Sequence, residues 1–169
     1  MTFVAWGVVG NLALYLSTYF WKVTTQQMLL WGAGVAVGLI SGFVVWNRQA
    51  QVWDKKPVFI AGTCIFTLFT VIPPLLRVYG WWVPHGHVLY LPAFVLIPGM
   101  AAHFGIAAMM VTGGSMMADV TDEDMLLHGR RREGICFGAV SFAAKSSVGV
   151  GGLIAGWVVE GVGLVPNMP

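Results

Sequence analysis

Five apolar runs, each about long enough to cross a bilayer, constrain this chain more than any other feature. They cover about residues 3–21, 28–46, 57–79, 88–117 and 133–159. A membrane-spanning helix needs about 20 predominantly apolar residues. Charged residues make up only 9% of the chain, against about 25% in soluble domains, and the mean hydropathy is +0.78. So few charges cannot clothe a soluble surface of this size, so lipid is the solvent for most of it. In lipid every backbone N–H and C=O needs a partner within the protein, which leaves helices as the spanning element for runs of this length. The expected fold is therefore all-α: a polytopic membrane protein with about five transmembrane helices, residues 1–169 forming one partial bundle.

Local signals refine the spans. The first run stops at Lys22 and the second at Asn47-Arg48. Pro57 suits a first helical turn. Pro73-Pro74, with Arg77 just beyond, predict a kink or an early end to the third helix. The fourth run is long for one crossing, so a tilted or bent helix is expected, with Pro92 and Pro98 as bend points. The first run is not a signal peptide, because it lacks a charged start and a small-residue cleavage site. The opening methionine leads into apolar sequence within two residues, which reads as a piece of a longer protein.

Orientation follows from the connecting charges. Arg48, Lys55 and Lys56 lie in the expected loop 47–56, and Arg130, Arg131 and Arg132 in the loop 118–132, against Lys22 and Arg77 on the other side. Six against two places those two loops in the cytoplasm. Trp21, Trp31, Trp81, Trp82 and Trp157 fall near predicted outer ends, and Trp46 and Trp53 near inner ends, as an aromatic belt would.

Several function classes are excluded. The net charge is +2, with no basic tract for nucleic acid. No zinc, P-loop or metalloprotease motif is present, so no metal or organic cofactor is expected. Cys64 and Cys136 lie in apolar segments and read as unpaired thiols. No carboxylate pair, metal set or nucleophile–base pair lies at membrane depth, so the chain is not expected to be an enzyme and no catalytic residue is assigned.

Lys145 is the exception within the fifth run. A charge at bilayer depth costs roughly 2.5–3.5 kcal/mol on insertion scales and marks a substrate or ion pathway by default. Snorkelling works near helix ends. Lys145 stands twelve residues after Glu133 and fifteen before Glu160, which is about 18 Å and 22 Å along a helix. Gly138, Ser141, Lys145, Gly149, Gly152 and Gly156 follow at spacings of three and four, so they share one side of that helix. A small, polar stripe of this kind is a packing seam by itself. A lysine in it needs a carboxylate. The acidic residues Asp54, Asp119, Asp122, Glu123, Asp124, Glu133 and Glu160 all fall in loops or at helix ends. The partner is therefore expected elsewhere in the protein or on a substrate.

Four acidic residues precede the three arginines between the fourth and fifth runs, and Glu133 follows them. A solvated loop explains this pattern. A gate explains it too, with Asp119 or Asp122 pairing with an arginine such as Arg132 in one conformation only. Glu133 suits the positive end of a helix N-terminus. Asn11 and Tyr15, one turn apart on the first helix, are candidates to line a cavity. His103 reads as a histidine packed and hydrogen-bonded to a neighbouring helix before it reads as a proton site. Arg77 reads as an interfacial anchor.

The stretch from Ala118 to Lys145 resembles the loop and following helix of the glycoside–pentoside–hexuronide:cation symporters, the melibiose-carrier group of the major facilitator superfamily. Ala118, Asp119, Asp122, Gly129, Arg132, Glu133, Gly134, Phe137 and Gly138 carry the likeness, and Lys145 falls where that group has its penultimate-helix lysine. Residues 11–20, Trp53 to Pro57 and Gly163 to Asn167 are similar as well. The resemblance implies helices seven to eleven of a twelve-helix transporter in a bacterial inner membrane. Its partners would be the bilayer, a small sugar or glycoside, and an N-terminal six-helix bundle missing here. That bundle would hold most of the site for the coupling cation, sodium or a proton. The resemblance implies cation-coupled sugar symport by alternating access. A truncated, non-transporting assembly or sensor subunit is the alternative.

Overall fold

The computed structural model describes residues 2–84, 86–129 and 132–161. Arg130 and Arg131 of the basic cluster and the 163–167 stretch lie outside the described residues. Those described form helices and connections, with no strand among them. α1 covers Thr2–Tyr15 and continues as a π-helical turn, Leu16–Phe20. α2 is Thr25–Val52, α3 Lys55–Val78, α4 Tyr90–Phe94, α5 Ala102–His128 and α6 Glu133–Gly161. A second π-helical segment, Val95–Ala101, joins α4 to α5.

Among the described residues, four helical stretches are long and apolar enough to cross a membrane: Thr25–Val52, Lys55–Val78, Tyr90–His128 and Glu133–Gly161. The protein is thus an all-α polytopic membrane protein. The region expected as the first span is helical too, as 14 residues of α-helix and the π turn. That turn closes where Lys22 takes a left-handed φ of 51° and Val23 N–H reaches back to the Ser17 carbonyl at 3.1 Å.

The helices run further than the apolar runs do. α2 continues to Val52, so the expected loop 47–56 shrinks to Trp53 and Asp54 between α2 and α3. α5 continues to His128 and absorbs most of the expected loop 118–132. Hydropathy marks where lipid ends. Helix ends are set by caps and by helix formers, which here include Arg48, Gln49, Ala50 and Gln51 in the first extension and Glu123, Met125, Leu126 and Leu127 in the second. Gly129, with φ 66°, stops α5 and returns its N–H to the Met125 carbonyl at 2.9 Å. Thr24 and Gln27 form a reciprocal capping box that starts α2 ahead of its apolar run.

Pro73 and Pro74 do not end α3, which continues to Val78. Pro92 sits in the first turn of α4, where a missing N–H costs nothing. Pro98 lies inside the π-helical segment, a wide turn that accommodates proline and gives the predicted bend point a defined form.

The chain forms two compact units: residues 1–23 with 124–169, and residues 24–123. In the first unit α1 packs on α6. Gly7 meets Ser147 and Val148, and Asn11 meets Gly152, so the contacts advance together and the helices run in the same direction. In the second unit α3 runs opposite to α5. Lys55 meets Asp119, Gly62 meets Gly105 and Ala108, and Arg77 meets Tyr90. α2 runs alongside α5 in the same direction. Gly34 faces Val95, Gly38 faces Met100, and Gly42 faces Phe104. Trp46, Val58, Ala107 and Ala108 are the buried centre of this unit. Trp46 is therefore a core residue rather than part of an inner aromatic belt; only 7% of it is exposed.

Candidate functional site

Lys145 lies at mid-helix in α6 and is exposed in the chain. α6 turns a different line toward α1. Gly151 and Ala155 are buried, and a Cβ on Gly151 would meet the Gly7 and Val8 backbone at 2.6 Å. At about 100° per residue, the stripe Gly138–Ser141–Lys145–Gly149–Gly152–Gly156 lies about a quarter turn round the helix from that line. Gly138, Gly149 and Gly156 have open space beside them, and Ser141 is exposed. Of these glycines only Gly152 faces α1: a Cβ added there would lie 3.6 Å from the Asn11 side chain. The seam with α1 thus uses Gly7 and Gly151, not the stripe read from the sequence. Both lines have spacings of three and four, so spacing alone could not choose between them.

Asn11 is exposed beside the stripe. Its amide N–H donates to the Gly7 carbonyl at 2.7 Å, which ties the side chain to its own helix. Tyr15, one turn on, stacks with Tyr19 at 6.5 Å between ring centroids. α1 thus brings two polar side chains to one face. The first unit places Asn11 directly against one member of the Lys145 stripe.

The charged ends of the helices pair differently from the expectation. Asp119 of α5 takes both of its oxygens to Lys55 Nζ, at 2.5 and 2.6 Å. Arg132 pairs with Asp124, through Nε at 2.9 Å and Nη2 at 2.5 Å. His128 Nδ1 stands 3.1 Å from the same carboxylate. Asp122 is exposed on the same helical extension, and Glu133 opens α6. Two of the four expected gate residues, Asp119 and Arg132, thus enter separate pairs, one in each compact unit, with Lys55 and Asp124 as their partners. The hydrogen bond from Arg132 holds the Asp124 carboxyl below the usual carboxylate range, reinforced by the Arg132 and His128 charges. The same bond raises Arg132. Lys55 carried a signal in the sequence as a loop charge beside Pro57. Nothing in the sequence singled out Asp124 among four neighbouring carboxylates.

At the other end of the second unit, Arg77 donates to the Tyr90 hydroxyl at 2.5 Å while its guanidinium lies 5.6 Å from that ring's centre. Tyr90 is buried, so Arg77 ties α3 to α4 instead of only anchoring at an interface. His103 Nδ1 bonds the Gly99 carbonyl of its own helix at 2.7 Å and meets Trp31 of α2 edge-on at 5.7 Å. The packing of this histidine on a neighbouring helix is as expected, but its hydrogen bond stays within its own helical stretch.

Among the described residues, no three His, Cys, Asp or Glu side chains cluster to hold a metal ion. The arrangement offers instead a lysine at the middle of α6 on a face that α1 does not use, amide and phenol groups on α1, and two exposed ion pairs at helix ends.

No solved structure matches the chain. A protein of the cyanobacterium Synechocystis sp., described as an uncharacterized symporter, is 26% identical over 125 residues, which is 74% of this chain and 21% of the relative. The chain therefore spans about a fifth of the length of that relative. The family model described as MFS/sugar transport protein matches residues 1–169, the whole of the sequence. The chain therefore belongs to the MFS/sugar transport protein family.

Proposed function

We propose that this chain is part of a secondary active transporter that moves a sugar or glycoside together with a cation, sodium or a proton, by alternating access in a bacterial inner membrane. The position of Lys145 carries the reading: it lies at mid-helix, on a face of α6 that α1 does not use. Such a lysine needs an anionic partner that its own spans do not supply. A carboxylate from further helices of the same protein fits, and a cation competing with the lysine for that carboxylate would couple two ligands. Asn11 and Tyr15 would add hydrogen bonds suited to sugar hydroxyls. The Lys55–Asp119 and Arg132–Asp124 pairs, with Asp122 and Glu133, would act at the cytoplasmic gate, made in one conformation and broken in another. The family and the relative named as a symporter support the same reading.

The test is uptake into proteoliposomes holding the complete reading frame, with a panel of radiolabelled mono- and disaccharides and glycosides under sodium or proton gradients. Gradient-dependent accumulation of at least one sugar is expected. Binding without accumulation under either gradient would favour a sensor or assembly role.

A further inference from the structure

The contacts between α2 and its neighbour do not advance at the same rate. On α2 the facing residues are Gly34, Gly38 and Gly42, four apart each time. Opposite them stand Val95, Met100 and Phe104, first five apart and then four. The five-residue step falls within the π-helical segment Val95–Ala101, where the Ala102 N–H reaches back five residues to the Ile97 carbonyl. The glycines bring the two backbones into direct contact. A Cβ on Gly34 would lie 2.9 Å from the Val95 carbonyl oxygen, and one on Gly42 2.9 Å from that of Phe104. The track on α2 carries no side chains of its own, although the Val95 and Ala107 side chains also press against Gly34 and Gly42.

The segment also carries the marks of a turn held open. Pro98 has no N–H, so it cannot close an α-turn at that point. Where a wide turn rejoins an α-helix one carbonyl is left outside the ladder. The His103 ring lies against the Gly99 carbonyl at 2.7 Å. Trp31 packs beside Gly99, and its indole N–H is buried with no acceptor among the described residues. This donor, buried beside the wide turn, is satisfied by no described protein group in this state.

We infer that Val95–Ala101 is a movable joint, pinned by His103, through which α4 turns by one residue step relative to α5. When the wide turn relaxes to an α-turn, α4 rotates by about 100° and advances by about 1.5 Å. The connection after α3, with left-handed glycines at Gly80 and Gly86, takes up the slack. The rotation carries Tyr90 away from Arg77, so that hydrogen bond belongs to the wide-turn state alone. This device goes beyond the transport reading, and its test does not depend on a sugar.

Spin labels at Val44 and Leu89, both exposed, span the joint. Labels at Leu30 and Met116, also exposed, form a reference pair that leaves α4 out. Pulsed dipolar distances are measured on the complete reading frame in lipid nanodiscs, for the native sequence, Pro98→Ala and His103→Ala. Rotation displaces a label at Leu89 by roughly 10 Å. The expected result is two populations for the joint-spanning pair, or one that moves in both variants, while the reference distance stays fixed. Joint-spanning distances that are single and unchanged in all three proteins would overturn the inference. A variant that disturbs the reference pair has misfolded, and the other variant then decides.

Discussion

Lys55 and Asp119 stand 64 residues apart in the chain, yet their side chains meet with both carboxylate oxygens within 2.6 Å of the ammonium. The pair joins the first turn of α3 to the part of α5 that continues past the apolar run. Both side chains are partly exposed, at 32% and 60%, and exposed pairs are worth about 0–1 kcal/mol. A contact so weak in stability is suited to being made and broken. Lys55→Asp and Asp119→Lys should each slow uptake several-fold while shifting unfolding by less than about 1 kcal/mol. The double reversal should recover most of the rate. Uptake and thermal unfolding of the four proteins check this; reversals that leave uptake unchanged would remove the pair from the gate.

The glycines of α2 make a sharper prediction. A Cβ on Gly38 would collide with the Met100 backbone carbonyl, and backbone does not swing aside. Gly38→Ala should destabilise by about 1–3 kcal/mol, the usual cost of overpacking. Gly113 is helical with open space around it, so Gly113→Ala should be neutral or stabilise by up to about 1 kcal/mol. Denaturant unfolding in micelles ranks the two, and equal effects would contradict the packing.

Trp46 donates its indole N–H to the Phe104 carbonyl at 2.9 Å and packs on that ring at 5.4 Å. Trp46→Phe removes the donor and leaves a buried carbonyl short, for a loss of about 1–3 kcal/mol. Trp53→Phe, at an exposed position, should change unfolding by no more than about 0.5 kcal/mol. Thermal melts of the two variants test this contrast directly.

These contrasts show what the sequence disclosed and what it withheld. The apolar runs located the helices, because lipid leaves the backbone no other option. They misplaced the ends, because Asn47 to Val52 and Thr121 to His128 stay helical after leaving the apolar region. Gly34, Gly38, Gly42 and Trp46 follow at a spacing of four, so the packed face of α2 is legible in the sequence. The pairing of Lys55 with Asp119 was not legible, since it depends on how α3 lies against α5. The choice between Gly151 and the Lys145 stripe was not legible either, since both faces of α6 are small.

The Asp124–Arg132 pair predicts a pH response. Its hydrogen bond depresses the Asp124 pKa in the folded state. A depressed carboxylate contributes stability above its unfolded pKa, near 3.9, and loses it as pH falls through the lower folded value. The pair should therefore stay intact from pH 8 to pH 5 and give way only below about pH 4. Carboxyl-carbon NMR of labelled aspartate, with Asp124→Asn to assign the resonance, follows the titration. A midpoint at or above the ordinary carboxylate value would show that the ion pair is absent in the membrane.

Lys145 separates the transport reading from a purely structural one. It is exposed in this chain, and α6 packs on α1 through Gly151 and Ala155 instead. Removing the charge should therefore leave α1 and α6 together, and insertion should become easier by up to about 3 kcal/mol. Lys145→Gln should preserve or raise the unfolding temperature while abolishing gradient-driven accumulation. Lys145→Arg keeps the charge but replaces a compact ammonium with a broad fork, so it should retain solute binding with altered cation dependence. A structural seam predicts the opposite pattern, with lower stability for the glutamine variant and uptake falling only in proportion. Melting temperature and uptake measured on the same preparations decide between the two, because the transport reading moves them in opposite directions and the structural reading moves them together.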